Sequence, residues 1–229
     1  MHDTANAARQ LAMDWPLLDV LPEPSRRELL ARARRRRFAR QEVLFHEGDP
    51  GDSLYLVSRG HIALRIHTPL GDVATMRIVR PGEFFGELAV VSPGPRNATA
   101  AAIDAVETVA IDRELLAGLR AEHPMIEVIM LEALVMEVRR LAQQVVEAMY
   151  VPVEKRVWRR LEEMTTVFGG ERGPATTIPI TQDVVAQLSG CTRPTANRVL
   201  RAGEETGVIS MTRGRIDVLD PAALHQRAR

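Results

Sequence analysis

Apolar positions change their period twice along this chain. From Phe38 to Asp112 they fall in short alternating runs, with Leu54 and Leu56 in one, Ile62, Leu64 and Ile66 in the next, then Met76 and Ile78. Turn signals separate the runs at Gly48-Asp49-Pro50-Gly51, Gly60 and Pro69-Leu70-Gly71-Asp72. Short strands at regular spacing predict a β-sandwich or roll, with Glu107 to Ile111 as its last strand. After Pro124 the spacing becomes three and four, through Leu131, Leu134, Val138, Leu141, Val145 and Ala148. That is an a/d seam on a helix reaching about Tyr150, with Arg139, Arg140, Gln143 and Gln144 on its wet side. An ordinary helix lying on the strands accounts for part of the pattern. A regular seam behind a domain that already has its own core points to a parallel dimer.

The flanks are read the same way. Trp15, Leu17, Leu18 and Leu21 suit a short amphipathic turn. Pro22 and Pro24 precede SRRELLARARRRR, which reads as a helix capped by Ser25, its Arg34–Arg37 end solvated and suited to the helix dipole. Tyr150-Val151-Pro152 reads as a hinge, because Pro152 cannot continue the helical hydrogen bonding. A helix from about Val153 to Val167 follows, with Val157, Leu161 and Met164 inward. It stops at Phe168-Gly169-Gly170, and a polar loop runs to Thr177.

From Ile178 the elements are strand, helix, turn, helix, hairpin. Thr181 caps a helix whose Val184, Val185 and Leu188 face inward, with Ala186 small where helices cross. Ser189-Gly190-Cys191 makes the turn, Gly190 being free to take a positive φ. Thr192 caps the second helix, and Pro194 is tolerated in its first turn. Val199 and Leu200 face inward; Arg193, Asn197 and Arg198 face outward, flanked by Arg201. Gly207 to Val218 forms a wing around Arg213-Gly214. This order is a winged helix-turn-helix, and residues 151–229 hold 12 Lys/Arg against 9 Asp/Glu inside a chain of zero formal charge. A mildly basic module of this kind suits phosphate contact and double-stranded DNA.

The stretch PGEFFGELAVVSPGPRNATAA, Pro81 to Ala101, has the look of an anion cradle. Gly86 lets a ligand approach the backbone, Glu87-Leu88-Ala89-Val90 can form a helical turn with free N–H groups, and Arg96 can give a phosphate two parallel hydrogen bonds. Glu87 fits if it accepts from a sugar hydroxyl and is neutralised by Arg96. A β-turn carrying a surface Glu–Arg pair is the other reading of the same residues.

Gly86-Glu87-Leu88, a loop, then Arg96 resembles the phosphate-binding cassette of the catabolite-activator/fumarate-nitrate (CRP/FNR) transcription regulators. FHEGDPGDSLYLVSRGHIAL, Phe45 to Leu64, resembles the β-roll strands of the same domain, and LSGCTRPTANRVL, Leu188 to Leu200, resembles the family's turn and recognition helix. The likeness runs from about Phe38 to the C-terminus. It implies a glutamate on the ribose 2′-hydroxyl and an arginine on the cyclic phosphate, hence a ligand set of Gly86, Glu87, Leu88, Arg96 and Asn97. It also implies a DNA set of Thr192, Arg193, Thr195, Asn197, Arg198, Arg213 and Arg215, and a dimer set of Leu131, Leu134, Val138, Leu141 and Val145. The sequence departs from the family in three places. Asn97 stands where Ser or Thr normally follows the arginine. The Thr–Ser pair that holds adenine in cyclic-AMP-responsive members falls at Leu141 and Ala142, or one turn on at Gln144 and Val145, and no Ser or Thr lies between Pro124 and Tyr150. Arg193-Pro194-Thr195 replaces Arg-Glu-Thr, so the half-site should depart from the usual one.

Composition narrows the rest. At 229 residues there is room for a large core. One cysteine, Cys191, excludes an internal disulfide and a cysteine-held iron–sulfur or zinc cluster, and six histidines show no metal spacing. A small buried role for Cys191 is the simple reading, since a redox switch has no partner thiol. No apolar run is long enough to span a membrane and no signal-peptide core is present, so a cytoplasmic location is expected. The expectation is an α+β chain: a cyclic-nucleotide-binding-like β-roll at 1–123, a dimerisation helix at 124–150 and a winged helix-turn-helix at 151–229. It is not an enzyme, and carries no metal, haem or iron–sulfur cluster. The function expected is a homodimeric transcription regulator gated by a cyclic nucleotide, cAMP first, cGMP or another nucleotide next, with inverted-repeat DNA and RNA polymerase as partners. A constitutive DNA-binding dimer with a vestigial sensor is the alternative, and an enzyme-regulatory subunit a further one.

Overall fold

The structure, a computed structural model, describes residues 15–69, 71–169 and 176–229. The expectations for residues 1–14, for Leu70 in its turn and for most of the 168–177 loop lie outside these. The described residues divide into two compact units, those within 1–63 and 79–139, and those within 64–78 and 140–229.

In the first unit, α1 (Pro16–Asp19) and α2 (Glu23–Arg32) lead into β1 (Arg34–Phe38), β2 (Val43–Phe45) and β3 (Ser53–Arg59). β6 (Phe84–Phe85), α3 (Leu88–Val91), β7 (Thr99–Ala102), β8 (Val106–Asp112) and α4 (Arg113–Glu122) follow after an excursion. One antiparallel sheet has the order β1-β8-β3-β6, and β2 pairs with β7. The core gathers Trp15, Leu17, Leu18, Leu29, Leu54, Leu56, Ile111 and Leu116, so the weakly patterned N-terminal turn is a buried plug. Trp15 anchors it, fully buried, with its indole Nε1 donating to the Val57 carbonyl at 3.0 Å. A buried indole with its one donor satisfied combines large apolar burial with no polar cost.

One expectation fails here. The helix over Ser25–Arg37 ends at Arg32, and its N-cap is Pro22, not Ser25. Arg34–Arg37 are instead a fully exposed edge strand, Arg34 opposite Ala110 through Phe38 opposite Val106. Pairing with β8 supplies non-local hydrogen bonds that outweigh helical propensity, and four arginines on an open edge discourage association with another strand.

The long helix α5 (Met125–Tyr150) belongs to both units. Ile126 and Met130 are buried in the first unit's core. Val128, Leu131, Val135, Val138, Val145 and Met149 are exposed, and with Ala142 they fall three and four apart. Leu131, Val138 and Val145 of the expected seam are on this stripe; Leu134 and Leu141 are half-buried.

The second unit holds most of the hairpin of β4 (Ile62–His67) and β5 (Val73–Val79), the end of α5, and α6 (Val153–Gly169). β9 (Thr177–Ile178), α7 (Gln182–Ser189), α8 (Arg193–Glu205), β10 (Ile209–Thr212), β11 (Arg215–Val218) and α9 (Pro221–Ala228) complete it. Its sheet has the order β10-β11-β9. Thr75, almost fully buried, donates to Gln187 Oε1 of α7 at 2.7 Å, and Arg140 donates to the Met76 carbonyl at 3.0 Å instead of facing water. The hinge at Val151–Pro152 is braced: Glu147 of α5, nearly buried, pairs with both Arg159 (3.0 Å) and Arg160 of α6.

Gly203 packs α8 against α6 so closely that a Cβ there would lie 2.3 Å from Trp158 Cη2. Gly203→Val should therefore overpack the module and cost about 1–3 kcal/mol. Urea denaturation followed by far-ultraviolet circular dichroism checks this, and an unchanged midpoint refutes the packing role.

Candidate ligand cradle and nucleic-acid interface

Two short loops build the cradle. Gly48 N donates to the Arg96 carbonyl (2.9 Å), Arg96 N donates to the Asp49 carbonyl (2.8 Å), and Pro50 bridges Pro95, so residues 48–52 lie along the loop that delivers Arg96. α3 forms where expected, with Val90 N and Val91 N both donating to the Glu87 carbonyl. Gly86 has φ +81°, and a Cβ there would meet Arg96 Nη1 at 2.7 Å. Only glycine allows both that conformation and that approach.

Arg96 is almost wholly buried, its side chain 3 % exposed. Its guanidinium carbon lies 4.2 Å from the Phe45 ring centroid and 5.6 Å from that of Tyr55, and Tyr55 stacks on Phe85 at 5.2 Å. Nη1 donates to the Gly86 carbonyl at 3.1 Å, Nη2 is 3.8 Å from Asp52 Oδ1, and the buried Nε has no partner. Burial pulls Arg96 below the ordinary arginine value, and Tyr55, Asp52, Glu87 and Asp49 oppose the fall. Asp52 is thus a carboxylate within ion-pair distance, and Glu87, half-buried, also attracts the guanidinium. Leu88 and Asn97 are exposed at the rim. An arginine guanidinium carries five N–H donors and stays charged, so one buried with so few acceptors is set up for an anion. The aromatic seat and Asp52 were missing from the sequence reading. Phe45 and Tyr55 lie in the stretch quoted for strand likeness, but nothing local ties them to Arg96.

The nucleic-acid face is built by caps. Thr181 Oγ1 accepts from Val184 N and Thr192 Oγ1 from Thr195 N, and Gly190 sits in the left-handed region between them at φ +58°. This sets the start of α8 and turns Arg193, Pro194, Asn197, Arg198, Arg201 and Ala202 onto one open face, with Glu205 beside them. Arg193 and Arg198 are exposed, loosely paired with Asp183 (3.2 Å) and Glu154 (3.8 Å). Such surface pairs are worth about 0–1 kcal/mol and yield easily to a phosphate or base edge. Asn197 is on that face but half-buried: its amide donates to Gln182 of α7, and its carbonyl accepts from Arg201 Nε at 2.8 Å. Thr195 is held by Thr192, their hydroxyls 2.9 Å apart. At the wing Arg213 is exposed, and Arg215 is tied to Asp217 at 3.0 Å. Burial pushes the Cys191 thiol up, which disfavours a reactive thiolate in the turn.

Comparison with known proteins settles the kind of molecule. The family model for the cyclic nucleotide-binding domain matches residues 35–123, and that for the Crp-like helix-turn-helix domain matches residues 155–227. A CRP-like cAMP-activated global transcriptional regulator of Mycobacterium tuberculosis is 32% identical over 194 residues, covering 84% of this chain and 87% of the relative. The chain belongs to the CRP/FNR family. The Cyclic AMP receptor protein of Thermus thermophilus is another relative, 31% identical over 195 residues, with 85% of this chain and 88% of that one covered. Among solved structures, the c-di-GMP-responsive global regulator CLP of Xanthomonas campestris shares the fold, with a TM-score of 0.74, 20% identity and coverage of 86% and 99%. This CRP/FNR member is a DNA-binding transcription regulator and not an enzyme. Among the described residues no helix is long and apolar enough to cross a membrane, and no group of His, Cys, Asp or Glu is arranged to hold a metal ion.

Proposed function

We propose that this regulator works in the cytoplasm as a homodimer whose grip on inverted-repeat DNA is gated by a cyclic nucleotide seated at Arg96. Residues 1–123 act as sensor, 124–150 as dimerisation helix and 151–229 as DNA-reading module. The observation that carries the reading is the buried, under-satisfied Arg96 guanidinium on its aromatic seat. Arg96 takes the cyclic phosphate, Gly86 and Leu88 form the wall, Glu87 accepts from the ribose hydroxyl, and Asn97 stands at the rim. Two relatives named for cAMP, at 31 and 32% identity, support cAMP as the first ligand to test. Gating requires that the nucleotide bind the DNA-competent state more tightly than the other. The missing hydroxyls on α5 favour a second reading, a constitutive DNA-binding dimer with a vestigial sensor. RNA polymerase is the expected further partner once the dimer sits on DNA.

Titration calorimetry with cAMP, cGMP and other nucleotides tests the gate. Arg96→Ala should weaken binding more than tenfold with the fold intact, since hydrogen bonds to charged groups contribute about 1.5–3 kcal/mol each. Wild-type protein silent towards every nucleotide at millimolar concentration would favour the constitutive reading instead.

The dimer is read from the exposed stripe on α5, with Leu131, Val138 and Val145 at its centre. A second copy is the natural cover, because the three-and-four spacing is that of a two-stranded coiled coil. Leu134 and Leu141 pack at its margin. Val138→Glu with Val145→Glu should yield monomers in sedimentation velocity; an unchanged dimer removes this face from the interface.

For the DNA, Arg193 stands at the start of α8, where side chains reach base edges in the major groove, with Thr192, Thr195, Asn197 and Arg198 around it. Arg213 and Arg215 are placed on phosphate. Arg193→Ala should cost roughly 1–3 kcal/mol and relax one position of each half-site, whereas Arg215→Ala should weaken all sequences alike and flatten the salt dependence. Half-sites should lie about one helical turn, ~34 Å, apart. Selection from a random DNA pool reads all of this, and a preference unmoved by Arg193→Ala would strip that residue of base readout.

A further inference from the structure

Arg113 opens α4, far from the cradle in sequence, yet its side chain ends inside the cradle's frame. Its Nη2 donates to the Gly51 carbonyl at 2.7 Å and to the Ala89 carbonyl at 2.8 Å, so both hydrogens of one nitrogen are used, one on a loop and one on α3. Its backbone N donates to the Asp52 carbonyl at 2.9 Å. Gly51 lies flat on Ala89, where a Cβ would come within 2.1 Å of the Ala89 Cβ and 3.4 Å of Arg96 Nε. The Gly51-Asp52 segment is therefore held from two sides. Arg113 grips its carbonyls, and Arg96 faces it with Nη2 3.8 Å from the Asp52 carboxylate.

α3 has only four residues, and a turn that short does not hold its own shape in water. The carbonyl of Ala89 has no place in a continuing helix, and a charged donor on it is the kind of contact that fixes a helix end. We propose that Arg113 is the positioning residue of the cradle: it ties α3 to the Gly51-Asp52 loop and thereby holds the ligand site in its binding geometry before ligand arrives. This rests on the proposed nucleotide site. Because Arg113 is also the first residue of α4, any displacement of α3 or of the 51–52 loop is carried directly to the helix that leads to α5.

The test compares full-length wild type with Arg113→Met, which keeps the aliphatic stem, and Arg113→Lys, whose ammonium can serve both carbonyls. Amide hydrogen exchange is measured without ligand, and cAMP binding by calorimetry. Arg113→Met should speed exchange of the 86–91 amides while those of β3 and β8 stay protected, and should weaken cAMP roughly tenfold, the scale of one charged hydrogen bond. Arg113→Lys should recover most of both. Unchanged exchange at 86–91, or unchanged affinity despite faster exchange, overturns the proposal. A lysine variant as impaired as the methionine one also overturns it. If Arg113→Met fails to fold, the lysine variant and Arg113→Gln are compared by the same two readouts, with glutamine expected to be the weaker. If wild type binds no nucleotide, the proposed ligand falls, and exchange alone decides whether Arg113 holds the cradle.

Discussion

A cation buried on aromatic rings organises the first unit. Arg96 lies over Phe45, beside Tyr55, with the Gly86 carbonyl as its closest acceptor. Taking a guanidinium out of water costs several kcal/mol unless hydrogen bonds or charge replace the lost solvation. The ring faces offset part of this, typically about 0.5–2 kcal/mol. One carbonyl and a carboxylate at 3.8 Å do not complete it. The surrounding small residues leave that deficit open. Gly86 has no side chain to block the approach, Gly51 has none to separate the two loops, and Ala89 is small where those loops touch. Filling the deficit with an anion is thermodynamically cheap for the protein, because the desolvation of Arg96 has already happened in the fold.

The helix-turn-helix rests on a different constraint, the satisfaction of helix ends. Thr181 and Thr192 each accept from an amide three residues on, and Gly190 takes the left-handed conformation that ends α7. These groups fix the angle between α7 and α8 before any DNA is met. On the outer face Arg193 and Arg198 are held by exposed ion pairs, which they can exchange for a phosphate or a guanine edge at little cost. Rigid backbone with loosely held side chains is the combination that sequence readout requires.

These two constraints differ in how far they were visible in the chain itself. Caps, turn and wing are local: Thr, Gly and Pro at fixed offsets announce them, and the helix boundaries fell within a few residues of expectation. Gly86, Glu87 and Arg96 were also legible, through their spacing and the family likeness. The seat of Arg96 was not, because Phe45, Asp52 and Tyr55 are distant from it in sequence and meet it only in the folded chain. Arg34–Arg37 misled for the same reason. Their neighbours Leu29 and Leu30 carry a helical signal, whereas the strand is dictated by β8, some seventy residues away. On α5 the apolar positions cover two adjoining faces. Periodicity found the helix but did not say that Leu134 and Leu141 lean on the chain itself while Val128 and Val135 are left open.

Energetics also limit how a signal can pass the hinge. Glu147 is nearly buried between Arg159 and Arg160, and Arg156 donates to the Ala148 carbonyl at 2.9 Å. Stripping one partner from a buried pair costs about 3–5 kcal/mol, whereas coupling between a ligand site and a DNA site is typically 1–3 kcal/mol. A nucleotide with that much leverage exchanges weaker contacts more readily than it parts the brace. On the proposed gating, the last turns of α5 and the start of α6 must then move as one piece, with Pro152 inside the piece and not at its pivot. The compliance has to come from contacts that cost less to exchange, and the Thr75–Gln187 and Arg140–Met76 hydrogen bonds of the β4–β5 hairpin are of that scale. Pro152 marks where the helix ends; the brace around it, which no local pattern announces, ties the last turns of α5 to α6 there.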